Sequence, residues 1–276
     1  MLKGLGQIML QENAATGILF LTGIFYGSLA MGIGAIVAVF TGTMTAKIFG
    51  YDKAEIESGL YGFSAALVGV ALTFYYKPVF AIWVSVVIGS ALAAMLQHWF
   101  IVRKIPVFTL PFILITWVCM FQFQNLYPVE PSVLSGAAAS NVQDFTFALR
   151  GFGQVIFQGS VFAGAAFCIG VFVSSPISSL YGIAAALLAA VLAFLCSAPG
   201  AGIEMGLFSY NAVLCAIVFA GNKTTDGVWV FVSVVLSVGI SLIMAHYNLT
   251  QLTFPFVAAS CVSLAAKNLV MTSRWA

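Results

Sequence analysis

Long stretches without a charged residue constrain this chain more than any other feature. Uncharged runs cover residues 13–46, 58–76, 78–102, 105–129, 151–203, 205–222 and 227–266. Because a helix that crosses a bilayer needs about 20 mainly apolar residues, these runs predict roughly eight to ten membrane spans. Charged residues make up 7% of the chain, against about 25% in soluble domains. The sequence therefore predicts an all-α polytopic membrane protein.

Composition also excludes several classes of function. The net charge is +2, with no basic tract, so a nucleic acid is not an expected partner. The chain starts without a basic segment or a small-residue cleavage site, so we expect no removable signal peptide. We expect no cofactor, no metal site and no enzymatic activity, because no nucleotide, metalloprotease or serine hydrolase motif is present. The five cysteines lack CxxC or Cys/His spacing and are interpreted as small apolar helix residues: Cys119, Cys168, Cys196, Cys215 and Cys261.

Two segments of the chain repeat at a fixed spacing. Gly4 to Gln11 (GLGQIMLQ) aligns with Gly151 to Gln158 (GFGQVIFQ), and the offset is 147, since 154 minus 7 is 147. Residues 57–67 align with 204–214 at the same offset. A third pair, FTLPF at 108–112 and LTFPF at 252–256, has an offset of 144. Repeats are typical of transporters, whose sites lie where the repeats meet.

The repeats predict two homologous halves, 1–128 and 151–276, joined by a linker over 129–150 that contains Glu130, Pro131, Asp144 and Arg150. The connection 47–57 is rich in charge, whereas its counterpart 194–203 is uncharged. This favours an inverted repeat in which Lys47 and Lys53 are cytoplasmic. A lysine in both halves, Lys77 and Lys223, argues the other way. The predicted fold is an inverted repeat of about five transmembrane helices per half plus a re-entrant half-helix.

The predicted half-helices are short apolar segments, 57–70 and 204–217, that begin Glu-x-Gly-Leu and follow Gly or Pro residues. A helix that does not span is tolerated only where its ends line a cavity or are buried in protein. We expect the two tips to meet near the membrane midplane. The alternative is an ordinary span in which Glu57 or Glu204 favours a helix N-terminus.

Polar residues recur at matched positions. Thr109 and Thr253 each precede a Pro by two residues, and each is expected to begin a helix inside the membrane with oxygen acceptors unused. The alternative is a kinked helix whose Thr bonds its own backbone. Gln7 and Gln154 recur near the starts of apolar helices, which favours a pore over a purely interhelical role. His98 and His246 are unmatched, and structural or interfacial roles are favoured over a proton relay.

Three features together resemble the urea transporter family: the Gly-x-Gly-Gln opening, the paired Gly-Leu-(Tyr/Phe) half-helices, and the box PVFTLPF at 106–112. The resemblance covers nearly the whole chain. It implies an inverted pair of five-span halves, each with a re-entrant pore helix, and one pore per subunit in a homotrimer. It implies passive, channel-like transport of urea, with membrane lipids as the other partner. The compact length and lack of soluble domains favour a bacterial cytoplasmic membrane.

The resemblance also implies roles for individual residues. Gln7 and Gln154 correspond to binding-site residues at the two ends of a narrow filter, and Thr109 and Thr253 to mid-pore threonines. The positions that match the aromatic slots, or follow the second glutamine, are Phe63, Leu67, Leu207, Tyr210, Leu214, Val155 and Phe157. Further pore positions are Leu10, Glu57 and Glu204. The chain departs from the family pattern at Leu10, where Phe is usual, at Ser64, where Asn is usual, and at Thr250, where Pro is usual.

The chemistry of urea agrees with this resemblance. Urea is planar and neutral, so its pathway should be flat, walled by aromatic rings and edged with oxygen acceptors. Neutral acceptors keep each site weak enough for release. The runner-up is a channel for water, ammonia or another small amide, although paired Asn-Pro-Ala segments and paired pore histidines are absent. An intramembrane enzyme is disfavoured because Ser160 has no apparent base.

Overall fold

The computed structural model describes residues 1–132 and 146–273. Regular structure in these residues is helical, apart from an isolated bridge between Tyr76 and Pro131. Asp144 lies outside the described residues, and Arg150, expected in the linker, lies within a helix. The α-helices are Leu2–Gly6 (α1), Ala14–Gly27 (α2), Leu29–Ile48 (α3), Lys53–Ser58 (α4), Phe63–Tyr75 (α5), Phe80–Val102 (α6), Leu110–Phe121 (α7), Thr146–Gln154 (α8), Val161–Ser174 (α9), Pro176–Leu195 (α10), Gly200–Glu204 (α11), Tyr210–Phe219 (α12), Thr224–His246 (α13) and Phe254–Ser273 (α14).

Several helices are long and apolar enough to cross a membrane, as expected of a polytopic membrane protein. Within the described residues these are α3, α6, α10 and α13, and a fifth span is possible if α1 with its following turn and α2, which meet at 81°, act as one. This is fewer than the eight to ten predicted. The apolar runs are longer than the helices, because breaks at residues such as Ser28 interrupt them.

The helix boundaries repeat at the offsets found in the sequence. Adding 147 to the bounds of α2 and α3 gives the bounds of α9 and α10, and adding 144 to the bounds of α6 gives those of α13. The first residues of α5 and α12 also differ by 147, and those of α7 and α14 by 144. The two parts of the chain therefore fold in the same way locally as well as sharing sequence.

Residues with a left-handed backbone conformation repeat in the same way. At an offset of 147 the pairs are Leu10 with Phe157, Gly50 with Ser197, and Gly59 with Gly206. At 144 they are Lys104 with Asn248, and Phe108 with Leu252. A large side chain with positive φ is uncommon, because its Cβ crowds the following carbonyl. Its recurrence at matched positions indicates that the same turns are built twice.

The two parts meet along α2 and α9. A Cβ on Gly23 would lie 2.5 Å from the Phe167 ring, and a Cβ on Gly170 would lie 2.9 Å from the Phe20 ring. Phe20 and Phe167 also contact each other edge to face, with ring centroids 5.2 Å apart. Residue 20 thus faces residue 170 while residue 23 faces residue 167, so α2 and α9 run antiparallel. The two contacts are reciprocal, because residues 20 and 167, and residues 23 and 170, are equivalent at the offset of 147.

The short helices α5 and α12 form the centre of the molecule. All residues of α5 from Phe63 to Thr73 are buried, although the helix has 13 residues and cannot span a bilayer alone. Close packing against α3 depends on glycine, since a Cβ on Gly69 would lie 2.4 Å from the Gly34 oxygen. The fold therefore encloses two short helices whose first residues, Phe63 and Tyr210, carry aromatic side chains.

Candidate functional site

The Thr109 and Thr253 hydroxyls meet at the contact between the two repeated boxes. Their Oγ1 atoms are 2.7 Å apart, and each residue is 3% exposed. Thr109 is the residue before α7, and Thr253 is the residue before α14. Each residue therefore precedes a helix directly, as expected, and the two side chains lie in contact. Pro111 is tolerated in the first turn of α7 because a backbone N–H at that position would have no carbonyl acceptor within the helix.

Gln7 and Gln154 make the same hydrogen bond in their respective repeats. Nε2 of Gln7 donates to the Ser58 carbonyl at 3.1 Å, and Nε2 of Gln154 donates to the Met205 carbonyl at 3.0 Å. The accepting residues are themselves 147 apart, since 205 minus 58 is 147. Because the amide nitrogen is used as donor, the amide oxygen is left as the acceptor end of each side chain.

The residue three positions after each glutamine has a positive φ. Leu10 and Phe157 both have φ of 58°. Phe157 packs in an aromatic cluster, with ring centroids 5.0 Å from Phe74, 5.8 Å from Tyr75 and 6.4 Å from Phe112. Leu10 is 38% exposed. The surroundings of Gln154 therefore include a cluster of aromatic rings, whereas the residue equivalent to Phe157 near Gln7 is aliphatic.

The residues expected to form aromatic slots are held by α5, α12 and the turns before them. Phe63 is buried, and Tyr210 donates its hydroxyl to the Leu252 carbonyl at 2.5 Å, next to Thr253. Leu207 is 44% exposed, while three other predicted positions are buried in the core: Leu67, Leu214 and Val155.

The half-helices do not begin at Glu57 and Glu204 as the sequence predicts. α4 ends at Ser58 and α11 ends at Glu204, and α5 and α12 begin only at Phe63 and Tyr210. The chain turns between them at Gly59 and Gly206, with φ of 88° and 75°. A Cβ on Gly59 would lie 2.5 Å from the backbone nitrogen of Gly4, and a Cβ on Gly206 would lie 2.6 Å from that of Gly151. This lack of space explains why the turn needs glycine. Glu57 and Glu204 are exposed, and Glu57 pairs with Lys53 at 3.7 Å.

A cavity of about 660 Å³ opens beside Gln154, and its lining includes three predicted site residues, Gln154, Phe157 and Leu207. Its lining also includes Lys77, whose ammonium forms an ion pair with Glu130. The Lys77 hydrogen bond and charge lower the pKa of the Glu130 carboxyl. A second cavity, of about 460 Å³, lies between α6 and α7 and is lined mainly by apolar residues. Within the part of the chain that is described, no cluster of His, Cys, Asp or Glu is arranged to hold a metal ion.

Sequence reasoning missed several residues of this region. Phe74 and Tyr75 belong to the first repeat but pack against Phe157 of the second. Ser58 and Met205 contribute only their carbonyl oxygens. The matched spacing of these two residues was the available signal.

His98 has structural partners in the described residues. Its ring stacks on Tyr51, with centroids 3.6 Å apart, and its Nδ1 lies 2.9 Å from the Tyr61 hydroxyl. Tyr61 also bonds the Glu55 carboxylate. His246 lies in the last turn of α13 beside Tyr247.

Comparisons with known proteins point in one direction. A family model described as UT, urea transporter, matches residues 1–268. Urea transporter 1 of Ovis aries is 27% identical over 293 residues, which cover 95% of this chain and 75% of that protein. Urea transporter 1 of Capra hircus has the same identity and coverage. Urea transporter 1 of Mus musculus is 27% identical over 242 residues, which cover 80% of this chain and 62% of that protein.

Proposed function

The chain belongs to the urea transporter family, and from this premise we propose that it conducts urea passively through a narrow, channel-like pathway between its two repeats. The family is one of transporters rather than enzymes, and the chain is a membrane protein. In the proposed pathway the urea molecule passes an amide at one mouth, the threonine pair at the centre, and an amide at the other mouth.

The observation that carries this proposal is the matched set of neutral oxygens. Each glutamine amide is oriented by a bond from its nitrogen to a backbone carbonyl, so its oxygen can accept an N–H group of urea. The two buried threonine hydroxyls lie between the repeats. Urea leaving water loses hydrogen bonds, and an unpaired polar group in a dry pathway costs several kcal/mol. Oxygens along the pathway replace those bonds without a charge that would favour cations.

Aromatic walls complete the proposed pathway. The faces of Phe63 and Tyr210 at the starts of α5 and α12, and of Phe157 at the Gln154 mouth, attract the partly positive N–H edges of a planar solute. In this proposal Leu67, Leu207, Leu214 and Val155 shape the slots. Leu10 lines the Gln7 mouth, and Glu57 and Glu204 lie outside the narrow part.

We infer that residues 1–128 and 151–276 are inverted halves. The antiparallel contact of α2 with α9 supports this, because a two-fold axis perpendicular to both helices turns one half upside down relative to the other. The Thr109 and Thr253 contact joins equivalent residues, as expected for residues that lie on such an axis. We further propose a homotrimer surrounded by membrane lipid, which the family resemblance supports, in a bacterial cytoplasmic membrane.

Stopped-flow light scattering of reconstituted vesicles tests the function. Urea should equilibrate much faster than in protein-free vesicles, whereas methylammonium should not. Replacing Gln7 or Gln154 by Leu removes one acceptor, a contact of about 0.5–1.5 kcal/mol, so urea flux should fall several-fold. Gln97→Leu removes a buried amide from α6 and serves as the control. Equal urea flux with and without protein, or fast entry of water or methylammonium alone, would reject urea conduction.

A further inference from the structure

A second glutamine lies four residues after each mouth glutamine, and neither has a role in the proposed pathway. Gln11 and Gln158 are each 3% exposed. Nε2 of Gln11 donates to the Met9 carbonyl at 2.8 Å, and Nε2 of Gln158 donates to the Ile156 carbonyl at 3.3 Å. Both bonds span the residue with positive φ, Leu10 in one repeat and Phe157 in the other. The same side-chain bond is therefore built at both mouths.

The backbone around these residues forms the same tight helix ending twice. The backbone N–H of Leu10 donates to the Gln7 carbonyl at 3.0 Å, and that of Gln11 donates to the Gly6 carbonyl at 3.1 Å. In the other repeat, the backbone N–H of Phe157 donates to the Gln154 carbonyl at 3.1 Å, and that of Gln158 donates to the Gly153 carbonyl at 3.0 Å. A left-handed residue in this type of ending is usually glycine. Leu10 and Phe157 occupy this left-handed position here. Because neither residue favours that conformation, contacts with neighbouring residues have to stabilise the turn.

Two further contacts show that the second glutamine is fitted closely into this turn. A Cβ on Gly6 would lie 2.5 Å from the Gln11 carbonyl oxygen, and a Cβ on Gly153 would lie 2.3 Å from the Gln158 carbonyl oxygen. Glycine at both positions lets the backbone of Gln11 or Gln158 approach the helix end that carries Gln7 or Gln154. Gln158 also reaches the other repeat, since its Nε2 lies 3.6 Å from Sδ of Met31.

We propose that Gln11 and Gln158 are positioning residues, which hold Leu10 and Phe157 in the left-handed conformation so that a large side chain, rather than glycine, stands at each mouth. This inference rests on the proposed function, because it states that the turn after each binding glutamine determines the width of the corresponding mouth of the urea pathway. Glycine would adopt the turn without help but would leave the mouth without a wall.

The test uses substitutions that remove the donor. Gln11→Leu and Gln158→Leu should each lower urea flux at least about threefold, the effect expected for loss of one buried hydrogen bond. Gln11→Glu is a second variant that keeps the length of the side chain but cannot donate when ionised. Gln97→Leu again controls for the loss of a buried glutamine. Hydrogen exchange at the Leu10 and Gln11 amides should become faster in the Gln11 variants and stay unchanged in Gln97→Leu.

A second-site change separates positioning from general stability. Asparagine tolerates the left-handed conformation better than leucine does, so Leu10→Asn should restore slow amide exchange to the Gln11→Leu protein. A merely destabilising effect of Gln11→Leu would not be corrected by this change.

The outcomes distinguish this inference from the function on which it rests. Wild-type flux and unchanged exchange in both leucine variants would overturn the positioning role, and so would failure of Leu10→Asn to restore slow exchange. If the wild-type protein does not conduct urea, the proposed function fails. The exchange experiment then still decides whether Gln11 holds the turn, because it requires no transport.

Discussion

The central hydroxyl pair is the residue-scale feature with the most direct experimental handle. Replacing Thr109 and Thr253 together by Val keeps the side-chain shape and removes both oxygens. Each lost hydrogen bond to urea is worth about 0.5–1.5 kcal/mol, so urea flux in vesicles should fall several-fold while the protein remains folded. Thr116→Val is the matched control, because Thr116 is a buried threonine on α7 whose hydroxyl has no hydrogen-bond partner within the described residues. An equal loss of flux in both variants would contradict a specific role for the pair.

Leu10 provides a second prediction at this scale. Its equivalent, Phe157, shows that the turn accepts a phenylalanine at φ of 58°. Leu10→Phe should narrow the Gln7 mouth and increase the preference for urea over N-methylurea, measured as a ratio of fluxes in the same vesicles. Leu180→Phe, at an exposed position on α10, should leave the ratio unchanged. A ratio that does not change in Leu10→Phe would mean that this mouth is not selective.

Recurrence in the sequence was enough to identify the threonine and glutamine pairs. The partners of the glutamines were indicated only by their matched spacing, because a carbonyl acceptor can come from any residue, and Ser58 and Met205 share no side-chain chemistry. Phe74 and Tyr75 were missed for another reason. They pack against Phe157 of the opposite repeat, a contact that depends on how the repeats pack and not on any local pattern.

At the scale of helices, the close contact of α2 with α9 should be sensitive to a single methyl group. Gly23→Ala would place a Cβ 2.5 Å from the Phe167 ring, and overpacking of this kind costs about 1–3 kcal/mol. Thermal unfolding in detergent should therefore occur at a lower temperature, and adding Phe167→Leu should recover part of the loss. Gly239→Ala in α13, where no atom of the described residues outside the local helix backbone lies within 4 Å of the new Cβ, should be neutral or stabilising. A stable Gly23→Ala protein would contradict the close contact.

Helix lengths were the least predictable part of the fold. Absence of charge identified the apolar segments correctly, yet charge does not record where a helix ends. The helical turn that follows α1 ends at Leu10, an apolar residue in a left-handed conformation. The start of α5 is delayed from Glu57 to Phe63 by the turn at Gly59. Each break depends on backbone conformation, which hydropathy cannot detect.

For the whole molecule, the proposed inversion predicts the sidedness of two equivalent loops. Cys196 follows α10, and its equivalent, Phe49, follows α3; both are exposed. Two single-cysteine proteins, one retaining Cys196 and one carrying Phe49→Cys, should react with a membrane-impermeant maleimide from opposite sides. By the positive-inside rule, we expect the side that carries Lys47, Phe49 and Lys53 to be cytoplasmic. Labelling of both from one side would indicate parallel halves.

Either hydroxyl of the Thr109 and Thr253 pair can be the hydrogen-bond donor, so the direction of the bond between them can reverse. The centre of the proposed pathway consequently has no built-in polarity, and a solute arriving from either side meets the same arrangement after one exchange of donor and acceptor. Rectification, a difference between saturating inward and outward rates, would then originate at the ends, where leucine stands at one mouth and phenylalanine at the other.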